Sequence, residues 1–324
     1  MSTSDLRRKL LILGAATPGF AVLGLPLRAF GQSYPTKDIR LFVPLSAGSS
    51  VDTLTRSFAD EMGRVLGQPV IPENRPGAEG LIASEAVKNA PPDGYTLMMA
   101  YPGHALNVSL YAKLPYDTLN DFTPIAIVAT NVNVLVVPIE SPVKSVPELI
   151  AAVKANPEKR FFGNAGGTSG GSGDLLNLMA NLKATAVTYK GAAEAQKDLL
   201  AGRLDYMFTA LSTATPLVKG GRLRALATTG AKRHPSMPDL PTVAEFVPGF
   251  ETTGWYGLAG PAGLPKPVVA KLNSALFTAL QDPKVRERVA TLGFDPAPPN
   301  GPEDFDALIR SEIKKWGQVL KPRA

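Results

Sequence analysis

The sequence predicts an α/β protein organised as two domains, on three observations. Short apolar, β-leaning runs alternate with amphipathic helical stretches along most of the chain. Turns of glycine and serine join strand to helix at the first such unit and again in the middle. The 324 residues, 44% hydrophobic and 19% charged, are ordinary globular composition and long enough for two cores of typical domain size.

The start of the chain stands apart from this pattern. Arg7-Arg8-Lys9 precedes an uncharged run over residues 10–27, and Ala29-Phe30-Gly31 closes it with a small-x-small pattern suited to cleavage before Gln32. A basic segment, an apolar segment and a cleavage site make residues 1–31 an expected export signal. The paired arginines followed by Lys-Leu-Leu fit twin-arginine export as well as the general secretory route. An uncleaved anchor is the alternative, weakened by Pro18 and Pro26. Removing the segment takes away a net +3, so only +3 of the formal +6 remains on the working chain. No basic run with interleaved aromatics appears, which argues against nucleic-acid binding. Cysteine is absent, which excludes disulfides, thiolate zinc sites, a cysteine nucleophile and a lipid-bearing cysteine. The expected location is the periplasm.

The elements follow in order. Residues 39–44 (IRLFVP) read as a buried strand, and residues 45–67 turn at once into an amphipathic helix ending on Gly67. Residues 95–101 (YTLMMAY) are apolar and β-leaning, and residues 125–137 hold two short strands. Ser145 and Glu148 form a capping box that opens a helix to Ala155. Residues 160–162 lead into a glycine-rich stretch, residues 192–201 form a helix stopped by Gly202, and strands at 204–208 and 223–228 flank a short helix. Such alternation favours parallel sheets with helices on both faces. Pro235, Pro238, Pro241 and Pro248 then mark surface-crossing chain. Three helices end the protein, at 268–281, at 283–292 behind an Asp282 cap, and at 303–320. In the last, Phe305, Leu308, Ile309, Ile313, Trp316 and Leu320 share one face, so the segment returns to cover a domain already built.

Residues 163–174, GNAGGTSGGSGD, hold six glycines in twelve positions and admit three readings. A flexible linker fails on position, because the stretch lies inside an α/β unit, before the helical run 175–182. Gly167-Thr168-Ser169-Gly170-Gly171 satisfies the G-x-S-x-G pattern of a serine hydrolase, with Asp198 or Asp205 and then His234 in the matching order. That motif needs a strand running directly into its first glycine, whereas residues 163–166 intervene. The third reading is an anion-holding turn, in which backbone N–H groups at a helix start receive a carboxylate or phosphate; a mobile surface loop is its bland alternative. A second turn of small residues, Leu45-Ser46-Ala47-Gly48-Ser49-Ser50 before Asp52, tips the balance, since two turns can close on one anion. About four charge-assisted hydrogen bonds supply roughly 6–12 kcal/mol before ordering costs, and micromolar affinity needs about 8. With two histidines and no H-E-x-x-H pattern, no metal site is expected.

An ordered run of motifs resembles the substrate-binding proteins of tripartite tricarboxylate transporters, also called the Bug family. It comprises Ile39-Arg40-Leu41-Phe42-Val43-Pro44, Ala47-Gly48, Asn74-Arg75-Pro76-Gly77-Ala78, Asp93-Gly94-Tyr95-Thr96, His104-Ala105-Leu106-Asn107, Leu114-Pro115-Tyr116-Asp117, Tyr189-Lys190-Gly191, Leu223-Arg224-Ala225-Leu226-Ala227, Pro241-Thr242-Val243-Ala244-Glu245 and Gly260-Pro261-Ala262-Gly263. The resemblance implies a type II-like periplasmic-binding-protein fold, each domain a mixed sheet flanked by helices, with the ligand cleft between. It places domain 1 at residues 33–133 and 254–324, domain 2 at 134–253, and crossing chain near Asn133 and Thr253. The implied ligand is a small carboxylate, di- or tricarboxylate or aromatic acid, delivered to membrane permease subunits by a monomer without cofactor, metal or catalysis.

Implied contacts are Ser46, Ala47, Gly48, Ser49, Ser50 and Asp52 in the first turn, and Ala165, Gly166, Gly167, Thr168 and Ser169 in the second. Tyr101, His104 and Thr209 complete the set. Asp52 either compensates the helix dipole or reaches bound water. Tyr101 either stacks on an aromatic acid or packs in the core. The second turn lacks about two residues of the family pattern, including a histidine. Where the family often has Asp-Asn, this chain has Thr209-Ala210, which removes an acidic partner for a ligand ammonium and argues against an amino acid. The other function classes left open are a secreted esterase using Ser169 and His234, and a ligand sensor docking on a receptor kinase.

Overall fold

The computed structural model describes residues 34–165, 167–189 and 191–320. The expected export signal at 1–31 lies outside the described residues. The chain opens with strand β1 (Ile39–Val43), helix α1 (Ser50–Leu66), β2 (Val70–Asn74), α2 (Leu81–Lys88), β3 (Thr96–Ala100) and α3 (Pro102–Leu110). A long strand β4 (Phe122–Pro138) leads to α4 (Val146–Ala155), β5 (Phe161–Asn164), α5 (Gly167–Met179), β6 (Thr185–Thr188), α6 (Ala192–Leu200), β7 (Tyr206–Ala210), α7 (Leu211–Lys219) and β8 (Leu223–Thr228). The last part is β9 (Thr253–Pro261), α8 (Lys266–Gln281), α9 (Pro283–Thr291), β10 (Asp295–Pro296) and α10 (Pro302–Val319).

Local chemistry explains the element ends. Ser49 caps α1 by accepting from the Asp52 amide, and Gly67 ends it in the left-handed region. Ser145 caps α4 by accepting from the Glu148 amide, as the capping box predicts. Asp282 accepts from the amides of Lys284 and Val285 at the start of α9, whose first residue is Pro283. Residues 125–137, expected as two strands, lie within one 17-residue strand, β4. Asn131 and Asn133 read as punctuation, yet the backbone stays extended through both because neighbours pair with it on each side.

The sheet order is β2-β1-β3-β9-β4-β7-β5-β6, with β8 and β10 also pairing with β4. β1, β2 and β3 run parallel, β9 is antiparallel to β3 and to β4, and β4 is antiparallel to β7 and β8. β5 runs parallel to both β6 and β7. The sheets are therefore mixed, where alternation alone favoured parallel ones. β4 belongs to both regions: it pairs with β9 as far as Val132 and with β7 from Asn133 onward.

That shared strand sets where the functional turns lie. β4 runs in the same direction as β1 and β3, so their carboxyl ends point toward its crossing segment, Asn131 to Asn133. β7 runs the opposite way and its last residue, Ala210, pairs with Asn133. β5 is parallel to β7, so its carboxyl end faces the same place. The chain returns across at Thr253, opposite Val132. Four strand-to-helix turns, after β1, β3, β5 and β7, thus converge on one short stretch of β4.

Apolar burial follows the same division. Leu41, Phe58, Met62, Leu97, Leu258 and Leu276 belong to one cluster and Phe42, Met98, Trp255 and Phe305 to a second, both on the first sheet region. Phe162, Leu176, Tyr206, Phe208 and Phe250 form a third, and Val134, Leu199, Met207 and Leu223 a fourth, on the second region. α10 touches both regions. Phe305 and Ile309 sit in the first, whereas Trp316 lies on α5 and Val319 packs against the Phe162 cluster. The Trp316 indole is fully buried and donates from Nε1 to Glu312 Oε2 at 2.9 Å.

The glycines of the central stretch have their cause here. A Cβ on Gly171 would lie 2.5 Å from the Trp316 ring, and one on Gly173 would lie 2.2 Å from the Phe162 ring. α5 can approach α10 and β5 this closely only because those positions lack a side chain. Gly171→Ala is expected to destabilise the protein by about 1–3 kcal/mol, the cost of overpacking, read as a lower urea midpoint at unchanged slope.

Candidate ligand-binding site

The first turn joins β1 to α1 and is braced from below by Asp52. This carboxylate is only 3% exposed. Its Oδ2 accepts from the Gly48 amide at 2.8 Å, and its Oδ1 accepts from Arg56 Nε at 2.9 Å and Asn74 Nδ2 at 3.0 Å. Asn74 Nδ2 also donates to the Leu45 carbonyl at 3.0 Å, which fixes the other end of the turn. Burial raises the Asp52 pKa, but the Gly48 amide, the Asn74 amide and the Arg56 charge outweigh it and hold the group below its ordinary value. Gly48 makes the turn possible: its φ of +78° is a conformation other residues rarely adopt.

This geometry divides the residues expected at the first turn into two roles. Asp52 and the Gly48 amide are engaged with each other and build the turn. The Ser49 hydroxyl is the helix cap. Ser46, Ala47 and Ser50 are exposed, and the first amides of α1, at Ser50 and Val51, precede the first intrahelical bond from Thr53 N to Ser49 O at 2.9 Å. Burial raises the pKa of the Tyr256 hydroxyl, a rise that Ser50 and Asn131 partly offset.

The second turn is shorter than the sequence suggests. α5 begins at Gly167, so the glycines at 170, 171 and 173 are helical and serve packing. Between β5 and α5 stand only Ala165, half-buried, and Gly166, which lies outside the described residues. Gly167 is exposed, and Thr168 and Ser169 are half-buried in the first turn of the helix. Asp174, one turn further in, has its pKa raised by burial, with Asn164 Nδ2 donating to it at 3.4 Å.

The remaining expected residues belong to the β3–α3 turn and the end of β7. The Tyr101 hydroxyl donates to the Glu79 carbonyl at 3.0 Å, and its ring lies against Gly80 and Gly103, so it locks the β3–α3 turn. His104 is 2% exposed, stacked on Tyr116 and edge-on to Phe122, and burial lowers its pKa to about 4. It is a neutral core residue. Thr209 is 1% exposed, beneath the surface of the β7 end. His234 lies in the proline-rich crossing, with Ser236 Oγ 2.7 Å from Nδ1 and Asp295 Oδ2 2.9 Å from Nε2. The serine that His234 meets is Ser236 and not Ser169, so the esterase alternative is not favoured.

The sequence places Asn133 at the crossing but gives no side-chain role to it or to Asn131, Thr229, Thr252 and Tyr256. The two asparagines sit at alternate positions of the crossing strand and share a face. Asn133 Nδ2 donates to Thr168 Oγ1 at 3.3 Å in the second turn, and Asn131 and Ser50 both act on the buried Tyr256 hydroxyl, offsetting part of the rise in its pKa. The available signal was Asn-x-Asn inside an apolar strand, a buried polar pattern that requires partners.

Comparison with known proteins agrees with this architecture. Residues 54–324 match the model of the tripartite tricarboxylate transporter family receptor. The UPF0065 protein in the tcbD-tcbE intergenic region of Pseudomonas sp. (strain P51) is 36% identical over 293 residues, 89% of this chain and 87% of that protein. Protein BugT of Bordetella pertussis is 32% identical over 324 residues, covering 98% of each. Among solved structures, R. palustris Rpa4515 with adipate is 35% identical at a TM-score of 0.78, covering 90% of this chain and all, 100%, of that one. MatC from Rhodopseudomonas palustris with bound malate is 34% identical at 0.75, covering 88% and 99%. The chain belongs to the tripartite tricarboxylate transporter receptor family, whose fold is that of the Bug-type periplasmic binding proteins.

Asp52→Ala should cost about 2–4 kcal/mol by leaving the Gly48 amide, Asn74 and Arg56 without their acceptor. Because the folded-state pKa lies below the ordinary aspartate value of 3.8, the stabilisation is present above that pH and is lost as pH falls through the folded value. Chemical denaturation should therefore show wild type and variant well separated at neutral pH and converging in acid. The opposite sign applies to Asp174, whose raised pKa makes its charge unfavourable when buried. Asp174→Asn should stabilise the protein at neutral pH, and that gain should fade on acidification.

Proposed function

We propose that this protein is a periplasmic receptor that captures a small di- or tricarboxylate between two domains and delivers it to membrane permease subunits. The observation that carries this reading is the convergence of the β1–α1 and β5–α5 turns on the crossing segment of β4, each ending in a helix start. A helix start offers N–H donors and a partial positive charge, which suit a carboxylate. Bound adipate and malate in two relatives support the same ligand class.

The domains are residues 33–133 with 254–324, and 134–253. They close as a hinge about Asn131 to Asn133 and the returning chain at Thr252 to Gly254. α10 spans that division, which limits closure to motions its Trp316 contact with Gly171 tolerates. The amides of Ser50 and Val51 hold one side of the ligand, and those of Gly167 and Thr168 hold the other, with Ser46 and Ala47 at the rim. The buried acid Asp52 is committed to the first turn, and Thr209 brings no charge where an acidic partner for a ligand ammonium would stand, which argues against an amino acid. The protein acts as a monomer in the periplasm, and catalysis has no part in the reading. Among the described residues no helix is long and apolar enough to cross a membrane.

Thermal shift against a panel of dicarboxylates, tricarboxylates, aromatic acids and amino acids tests the proposal. A di- or tricarboxylate at a hundred times its Kd should add about 2.7 kcal/mol to stability. Amino acids should be silent, and a strong shift with aspartate or glutamate alone would contradict the assignment.

A further inference from the structure

A closed ring of hydrogen bonds lies beneath the second turn. Asn133 Nδ2 donates to Thr168 Oγ1 at 3.3 Å. Ser172 Oγ donates to the Thr168 carbonyl at 2.6 Å. With its proton so committed, Ser172 Oγ accepts from Thr252 Oγ1 at 2.5 Å. The Thr252 carbonyl accepts from Thr229 Oγ1 at 2.7 Å, and that oxygen in turn accepts from the Asn133 amide at 2.9 Å. Two backbone bonds close the inner edge: Thr229 N to Asn133 O at 2.9 Å, and Thr252 N to Thr229 O at 3.1 Å. Asn133 is 4% exposed, and Ser172, Thr229 and Thr252 are each 0% exposed.

Such a ring is poorly explained as filler. Buried hydroxyls and carboxamides are worth little more than apolar side chains of the same shape, and they become costly once one partner is lost. What it does is geometric. It joins the first turn of α5 to both segments where the chain crosses between the sheet regions, at Asn133 and at Thr252.

We propose that Asn133 and Ser172 are positioning residues for ligand capture, fixing the amides at the start of α5 to the two crossing segments so that a carboxylate gripped there draws on the hinge itself. The inference rests on the carboxylate reading given above. Asn133 suits the place because its carboxamide donates to Thr168 while bringing no charge near an anion. An aspartate there would keep the shape, lose the donor and add a negative charge.

The test uses the full mature protein with adipate and malate as probes, measuring Kd by calorimetry between about pH 5 and pH 8 alongside the melting temperature of the ligand-free protein. Asn133→Asp should bind the probe about tenfold more weakly than wild type near pH 8, from charge repulsion at close range. The variant-to-wild-type ratio should shrink toward acid, where burial brings the new carboxyl into its protonated form. Ser172→Ala, which changes no charge, should weaken binding about threefold, the effect of losing one modest hydrogen bond, equally at every pH. A purely structural ring would lower the melting temperature of both variants while leaving each Kd and its pH dependence at wild-type values, and that result overturns the inference alone. Should Asn133→Asp fail to fold, an unchanged Kd for Ser172→Ala and for Thr252→Val overturns it equally. Silence of the wild type toward every acid overturns the carboxylate reading and this inference with it.

Discussion

The structure depends on a single strand serving two sheet regions. β4 must remain extended for 17 residues, buried without a break over 132–137, and yet be the place where the chain crosses from one apolar core to the other. A backbone in that position cannot leave its polar groups to water. It is paired on both sides, by β9 and then β7 and β8. Where the pairing changes hands, Asn133 and the threonines at 229 and 252 supply the missing partners. The turns that offer amides to a ligand are arranged around this stretch because the strands they follow all end there.

The two turns are held by different means. The first is held electrostatically: a buried aspartate collects an amide, an asparagine and an arginine, and keeps its charge because three donors face it. The second is held by close approach, with glycines that let α5 settle on Trp316 and Phe162, and by neutral hydroxyl contacts to the crossing chain. The contacts that hold the second turn to the crossing chain, through Asn133, Ser172 and Thr252, are all neutral. Asp174, on the same helix, sits half-buried with its pKa raised by burial.

Much of this was legible in the sequence, and the failures share a cause. The strand-to-helix alternation, the caps at Ser145 and Asp282, and the returning apolar face of α10 depend on neighbours close in sequence, so their signals are local. The glycine stretch was read as a turn before a helix at 175, whereas α5 starts at Gly167 and its glycines admit Trp316, more than a hundred residues later. His104 carried a family motif, but only the packing of Tyr116 and Phe122 around it shows a neutral core residue. Asp52 was left between two roles, and the donors that decide it include Asn74, on a strand the sequence did not reveal. The ring at Asn133 draws on four separate segments, and no window of sequence contains it.

Backbone amide shifts in a two-dimensional nitrogen–proton spectrum, followed while a dicarboxylate is titrated into the protein, test whether the two turns share one ligand. The amides of Ser50 and Val51 and those of Gly167 and Thr168 should move together with one Kd, accompanied by Asn133. Movement confined to one of the two turns, or to a surface remote from both, would contradict it.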